Sequence, residues 1–129
     1  MRFLGIDFGT KRVGVALSDE GGSFAFPHSV QKNDKGLFER ICRIAEEESV
    51  EMIIMGESRD YSGNANPIMQ DIEAFKLRLE KETELKVILE PEFLTSAEAQ
   101  RIQGKHDGLD ASAAALILKS YLDKQNKKE

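Results

Sequence analysis

The chain has 129 residues, of which 40% are hydrophobic and 32% charged, with 3 prolines. That is enough for one core burying roughly two-thirds of the unfolded surface, and it excludes a disordered or low-complexity chain. The formal charge of −5 disfavours coating of nucleic acid by bulk charge but does not exclude a local basic track.

In chain order, Phe3-Leu4-Gly5-Ile6-Asp7 reads as a short apolar strand ending in a carboxylate, and Phe8-Gly9-Thr10-Lys11 supplies turn chemistry. Val13, Val15 and Leu17 alternate with small residues, the period of a second strand. Asp19-Glu20-Gly21-Gly22 is a turn. Residues 23–30 form a third strand, with Phe24, Phe26 and His28 on one parity and Pro27 marking it as an edge. Asp34 caps a helix over residues 34–49 with an apolar stripe of Leu37, Ile41, Ile44 and Ala45. Met52 to Gly56 is a buried strand. Asn66-Pro67 opens a second helix bearing Ile68, Ile72, Phe75 and Leu79. Leu85, Val87 and Leu89 belong to a fifth strand. Thr95 with Glu98 is a capping-box pattern for a short helix ending at Gly104. Asp107 or Asp110 opens the last helix, which runs through Leu122. Residues 1–123 are expected to form one domain, with 124–129 a frayed polar tail.

The first three strands make an antiparallel meander, and later strands need right-handed crossovers. The expected fold is α/β, a five-stranded mixed sheet of order 3-2-1-4-5 with helices on both faces. Strands one, four and five are then parallel. Their C-terminal ends share one rim, where open α/β sheets bind ligands.

Acids gather on that rim. Asp7 ends strand one, Glu57 follows strand four, Glu92 follows strand five, and Asp107 and Asp110 stand at the last helix. Crowded carboxylates repel and raise one another's pKa values. A divalent cation relieves this, and an oxygen-only set points to Mg²⁺ or Mn²⁺. Asp110 heads the otherwise apolar stripe of Ala114, Ile117 and Tyr121, which points it inward. Asp107 is equally a helix cap, and Glu57 and Glu92 are equally surface acids. Thr10, Lys11 and Arg12 are candidates for holding phosphate, and Gly63-Asn64-Ala65-Asn66 is a second, weaker anion site. Cys42, the only cysteine, rules out an internal disulfide and a cysteine-based zinc site. No apolar run approaches the ~18 residues of a membrane helix, and Asp7 stands too early for a signal peptide, so a cytoplasmic location without membrane contact is expected.

Residues 4–19, from Leu4-Gly5-Ile6-Asp7-Phe8-Gly9-Thr10-Lys11-Arg12 to Ser18-Asp19, resemble the opening signature of the YqgF family. Met52-Ile53-Ile54-Met55-Gly56 resembles that family's fourth strand, and Pro91-Glu92-Phe93-Leu94-Thr95-Ser96 its Asp-Glu-Arg-Leu-Thr-Thr motif. Asp110-Ala111-Ser112-Ala113-Ala114 resembles its closing helix, and Asp107-Gly108-Leu109-Asp110-Ala111 also resembles the Asp-x-x-Asp-Ala of RuvC resolvases. The chain departs from the pattern at Gly56-Glu57-Ser58, where the family has Gly-Leu-Pro, and at Pro91 and Phe93, which replace an aspartate and an arginine.

The resemblance implies an RNase H-like fold and a metal-dependent nuclease, resolvase-like in ancestry and acting in maturation of the pre-16S ribosomal RNA 5′ end. It carries over Asp7, Glu92 and Asp110 as catalytic and metal-holding residues. Glu57 and Asp107 stay as weaker metal candidates from their places on the rim, and Thr10, Lys11 and Arg12 are the expected nucleic-acid contacts. The implied partner is precursor rRNA or branched DNA. The sequence leaves open the choice between them and between monomer and homodimer. Two other classes remain. One is a non-catalytic nucleic-acid-binding module. The other is an actin- or sugar-kinase-like nucleotide-binding domain, because Asp7-Phe8-Gly9-Thr10 resembles the first phosphate loop of those enzymes.

Overall fold

A computed structural model describes residues 1–58, 68–92 and 108–126, with the backbone alone for Ser58, Glu92 and residues 108–112. Five strands, β1 (Phe3–Phe8), β2 (Arg12–Ser18), β3 (Ala25–Lys32), β4 (Met52–Ser58) and β5 (Lys86–Glu92), form one sheet of order β3-β2-β1-β4-β5. The ladders β1–β2 and β2–β3 are antiparallel, and β1–β4 and β4–β5 are parallel. This is the predicted order: a tight meander followed by two crossovers.

Strand alternation sends residues to two cores. Leu4, Ile6, Val13, Val15, Ile53, Met55 and Val87 pack under helices α1 (Leu37–Glu47) and α2 (Met69–Thr83). Leu37, Ile41 and Ala45 of α1 and Ile72, Phe75 and Leu79 of α2 are buried there, as their spacing predicts. Phe75 holds the two helices to the sheet, with ring centroids 5.1 Å from Phe8 and 5.7 Å from Phe38. On the other face, Ala16 and Ile54 pack against Ala114, Ile117, Leu118, Tyr121 and Leu122 of helix α3 (Gly108–Asn126).

Several boundaries differ from the sequence expectation. The third strand starts at Ala25 and extends to Lys32, and Phe24 and Phe26 are exposed. Pro27 sits on the edge, where its missing N–H leaves no ladder donor unpaired. Asp34 does not cap α1, whose N-cap is Gly36 with no side-chain bond. It accepts the Gly36 N–H instead and pairs with Arg40 at 2.9 Å, closing the turn before the helix. α3 runs on to Asn126, and Lys124, expected in a loose tail, pairs at 2.6 Å with buried Glu90, which also accepts from Ser120. The Asn66-Pro67 start, the Gly63–Asn66 anion site, the helix from Thr95 to Gly104, and Asp107 lie outside the described residues.

Candidate active site

Asp7 owes its position to β1. Leu4, Ile6 and Phe8 belong to the face under α1 and α2, so Gly5 and Asp7 take the α3 face. Two ladders fix the strand there: Asp7 is opposite Gly14 on β2, and Ile6, one residue before it, is opposite Met55 on β4. Asp7 is half-buried.

Gly5 sets how close α3 comes. A Cβ on Gly5 would lie 2.9 Å from the Leu118 Cβ and 3.0 Å from the Ala114 carbonyl, so only glycine lets the helix backbone approach this near. Further back along β1, Phe3 meets Tyr121 with ring centroids 5.9 Å apart. Phe3 with Tyr121, then Gly5 with Leu118 and Ala114, means α3 runs antiparallel to β1. From Ala114 back to Asp110 is about 6 Å of helix rise, and from Gly5 on to Asp7 is about 6.5 Å of strand. The first turn of α3 therefore reaches the level of Asp7. Position 110 lies on the helical row that continues through Ala114 to Leu118.

The remaining acids sort by parity. Both lie inside longer strands rather than in the loops expected for them: Glu57 pairs with Pro91, and Ser58 with Glu92. A strand carried to its acid fixes the face on which that acid stands. Glu57 shares parity with Ile53 and Met55, the α1/α2 face. Glu92 shares parity with Ile88 and Glu90, the α3 face. The structure thus brings positions 7, 92 and 110 to one face of the rim and puts Glu57 on the other. Among the described side chains no group of three His, Cys, Asp or Glu is gathered.

Beside Asp7, Gly9-Thr10-Lys11 turns into β2. A Cβ on Gly9 would stand 2.4 Å from the Arg12 carbonyl, which the turn does not allow. Asn33 clamps this turn: its side-chain amide donates to the Gly9 carbonyl at 2.7 Å, and its backbone N–H to the Lys11 carbonyl at 2.9 Å. Thr10, Lys11 and Arg12 are exposed and line an open groove of about 720 Å³ with Val30, Lys32 and Asn33. Sequence reading missed Gly5, Lys32 and Asn33. The signal for Gly5 was present, a glycine two residues before the acid in an otherwise apolar strand. Lys32 and Asn33 carry no local signal, because only the β2–β3 pairing brings them beside the turn.

Solved structures share this architecture. Thermus thermophilus RuvC in complex with a Holliday junction substrate superposes with a TM-score of 0.62 at 16% identity, covering 97% of this chain and 96% of that one. The fowlpox virus Holliday junction resolvase gives 0.59 at 18% identity, covering 96% and 99%. These likenesses define the class: an RNase H-like fold of the RuvC type. Sequence narrows it further. Residues 1–124 match the family described as "RuvX: Holliday junction resolvase", and the chain belongs to that family. Two relatives bear the name "Putative pre-16S rRNA nuclease". One, from Nitratidesulfovibrio vulgaris, is 38% identical over 97% of this chain and 86% of its own length. The other, from Thermoanaerobacter pseudethanolicus, is 37% identical over 99% and 100%.

Proposed function

We propose that this chain is a divalent-metal nuclease that hydrolyses phosphodiester bonds of precursor 16S ribosomal RNA, with Asp7, Glu92 and Asp110 as its catalytic carboxylates. The observation that carries this reading is the common face of positions 7, 92 and 110 at the strand-end rim, in a member of a family whose relatives bear a nuclease name. That face also separates the two candidates for the middle acid and favours Glu92 over Glu57.

The donor chemistry fits a hard cation. Three carboxylates offer only oxygen, which suits Mg²⁺ or Mn²⁺ and not zinc. Softer ligands among the described residues lie elsewhere. His28 is exposed on β3 and bonded to Ser29. Cys42 packs on the α1/α2 face, where burial pushes its thiol pKa up. When bound, such an ion supplies a water of lowered pKa and neutralises charge on the phosphodiester. Asp7, on a strand fixed by two ladders, gives the site its rigid point, and Gly5 brings the turn carrying Asp110 within reach of it. Lys11 and Arg12 would hold flanking phosphates, so that strand position is set by the backbone rather than by the bases. Hydrolysis in this site would join a water oxygen to phosphorus and break the bond to the 3′-oxygen, which takes up the proton, leaving a 5′-phosphate.

A cleavage panel tests this. Purified wild type with Mn²⁺ is set against a precursor rRNA 5′ end, unrelated single strands and a four-way DNA junction, beside Asp7→Asn. The precursor is expected to be cut. The variant should lose about 10²–10³-fold, the rate equivalent of several kcal/mol of charge stabilisation, with an unchanged circular dichroism spectrum. Equal cleavage by both proteins refutes the assignment of Asp7. Preferential cutting of the junction refutes the substrate and would call for a dimer with two sites.

A further inference from the structure

The rim that carries Asp7 does not stop at β1. In the order β3-β2-β1-β4-β5, positions 7 and 92 occupy β1 and β5, and the first turn of α3 lies over β1. The other half of the same rim is made by the start of β2 and the end of β3, and it exposes three cations, Lys11, Arg12 and Lys32, with the acid Asp34 just beyond β3 in an ion pair with Arg40. On a chain of formal charge −5 this is a local reversal of sign.

The reversal depends on a register shift. Near the β2–β3 turn Ser18 pairs with Ala25 and Ala16 with Pro27, and an unbroken ladder would bring Gln31 opposite Arg12. The pairing slips between Ala16 and Val15, leaving His28 over as the extra residue, so Lys32 stands opposite Arg12 instead. Like charges directly opposite on a ladder destabilise it. An anion lying between them reverses that sign. Asp34, two residues on from Lys32 and electrostatically coupled to it, accepts from the Gly36 N–H and makes its close ion pair with Arg40, at 2.9 Å. Arg40 is itself tied to the Lys32 carbonyl and to Gln31. The groove floor is tied together, because Asn33 holds the Gly9–Lys11 turn through both its side chain and its backbone.

We infer that the groove between the β1–β2 turn and the end of β3 is a second phosphate subsite, in which Lys32 with Lys11 and Arg12 holds the backbone of the nucleic-acid strand beside the bond that is cut. β3 lies two strand spacings, about 10 Å, from β1, so the phosphate it holds is a flanking one and not the scissile one. Asn33 is a positioning residue that fixes the turn. This subsite rests on the nuclease reading for its meaning, but its binding can be read without cleavage.

The test uses a labelled single-stranded RNA and a DNA strand of the same sequence, since the shared chemistry is the phosphodiester backbone. Binding is titrated in EDTA across a salt series for wild type, Lys32→Gln and, as a remote exposed control, Lys81→Gln. Lys32→Gln should weaken both probes by about three- to tenfold and lower the slope of log K against log salt by about 0.7, one phosphate contact of a single strand. Lys81→Gln should match wild type. With Mn²⁺ and RNA, the loss in Lys32→Gln should be carried by KM. Wild-type affinity and slope in Lys32→Gln overturn the subsite, and if wild type cleaves, the nuclease reading survives that result. Loss of binding in Lys32→Gln with a wild type that cuts nothing keeps the subsite and overturns the nuclease. A wild type that binds neither probe overturns both.

Discussion

At the scale of single residues, Gly5 couples the fold to the site. Its missing side chain lets Ala114 and Leu118 come down on β1, and the same contact sets how far the first turn of α3 reaches toward Asp7. Gly5→Ala puts a methyl within 3.0 Å of a helix carbonyl and 2.9 Å of another Cβ, neither of which is a flexible side-chain end. The helix must move. A tight core charges about 1–3 kcal/mol for such overpacking, to be read as a lower midpoint in a urea melt at unchanged m-value. Activity should fall by more than the stability loss explains, because a displacement of about 1 Å at a catalytic group can cost about 10²-fold. A Gly5→Ala protein with wild-type kcat would show that the approach of α3 to β1 does not set the site.

At the scale of elements, the β2–β3 hairpin holds itself by a carboxylate. Asp19 accepts the Ser23 N–H at 2.7 Å and the Phe24 N–H at 2.9 Å, and Gly22 takes the positive φ of 67° that this turn needs. The Phe24 bond is the main cause holding the Asp19 carboxyl below its ordinary value. A folded-state pKa below the unfolded one means stability present above the unfolded value, and lost as pH falls through the folded one. The contribution is therefore complete at neutral pH and vanishes only in strong acid. Asp19→Ala should lower the melting temperature at pH 7, and by less at pH 3, where wild type has begun to lose the same bonds. An equal deficit at both values would mean that the turn does not depend on ionised Asp19. Elements also mark where sequence reading stopped. Turns and crossovers dictated the sheet order, so it was legible. An acid after an apolar run reads as the start of a loop, and so the ends of β4 and β5 were cut short at Glu57 and Glu92. With the ladders carried to those residues, the faces separate them. The end of β3 was illegible for a different reason: an extra residue in an edge strand has no local signature, and Lys32 meets Arg12 only through it.

At the scale of the whole molecule, the sheet divides its two faces by task. Among the described residues, the α1/α2 face carries most of the large buried side chains, including Ile6, Ile41, Ile53, Met55, Ile72 and Leu79. The α3 face is thinner, built on Gly5, Ala16 and Ala114, and by strand parity and helical row it is the face to which positions 7, 92 and 110 belong. On the proposed reading, packing on the first face holds the sheet against the repulsion of three carboxylates on the second. This makes a prediction that does not depend on finding the substrate. Without metal, crowded carboxylates oppose folding, so Asp7→Asn should melt at a higher temperature than wild type in EDTA. With Mn²⁺, wild type should gain stability by mass action, about 2.7 kcal/mol at a hundredfold excess over the dissociation constant. Asp7→Asn should gain far less. The order of the two melting temperatures should therefore invert as Mn²⁺ is added, in a scan of both proteins with EDTA, Mn²⁺ and Mg²⁺. Parallel curves with no inversion would mean that Asp7 stands alone on its rim, and that the face shared by positions 7, 92 and 110 is a feature of the backbone without chemical consequence.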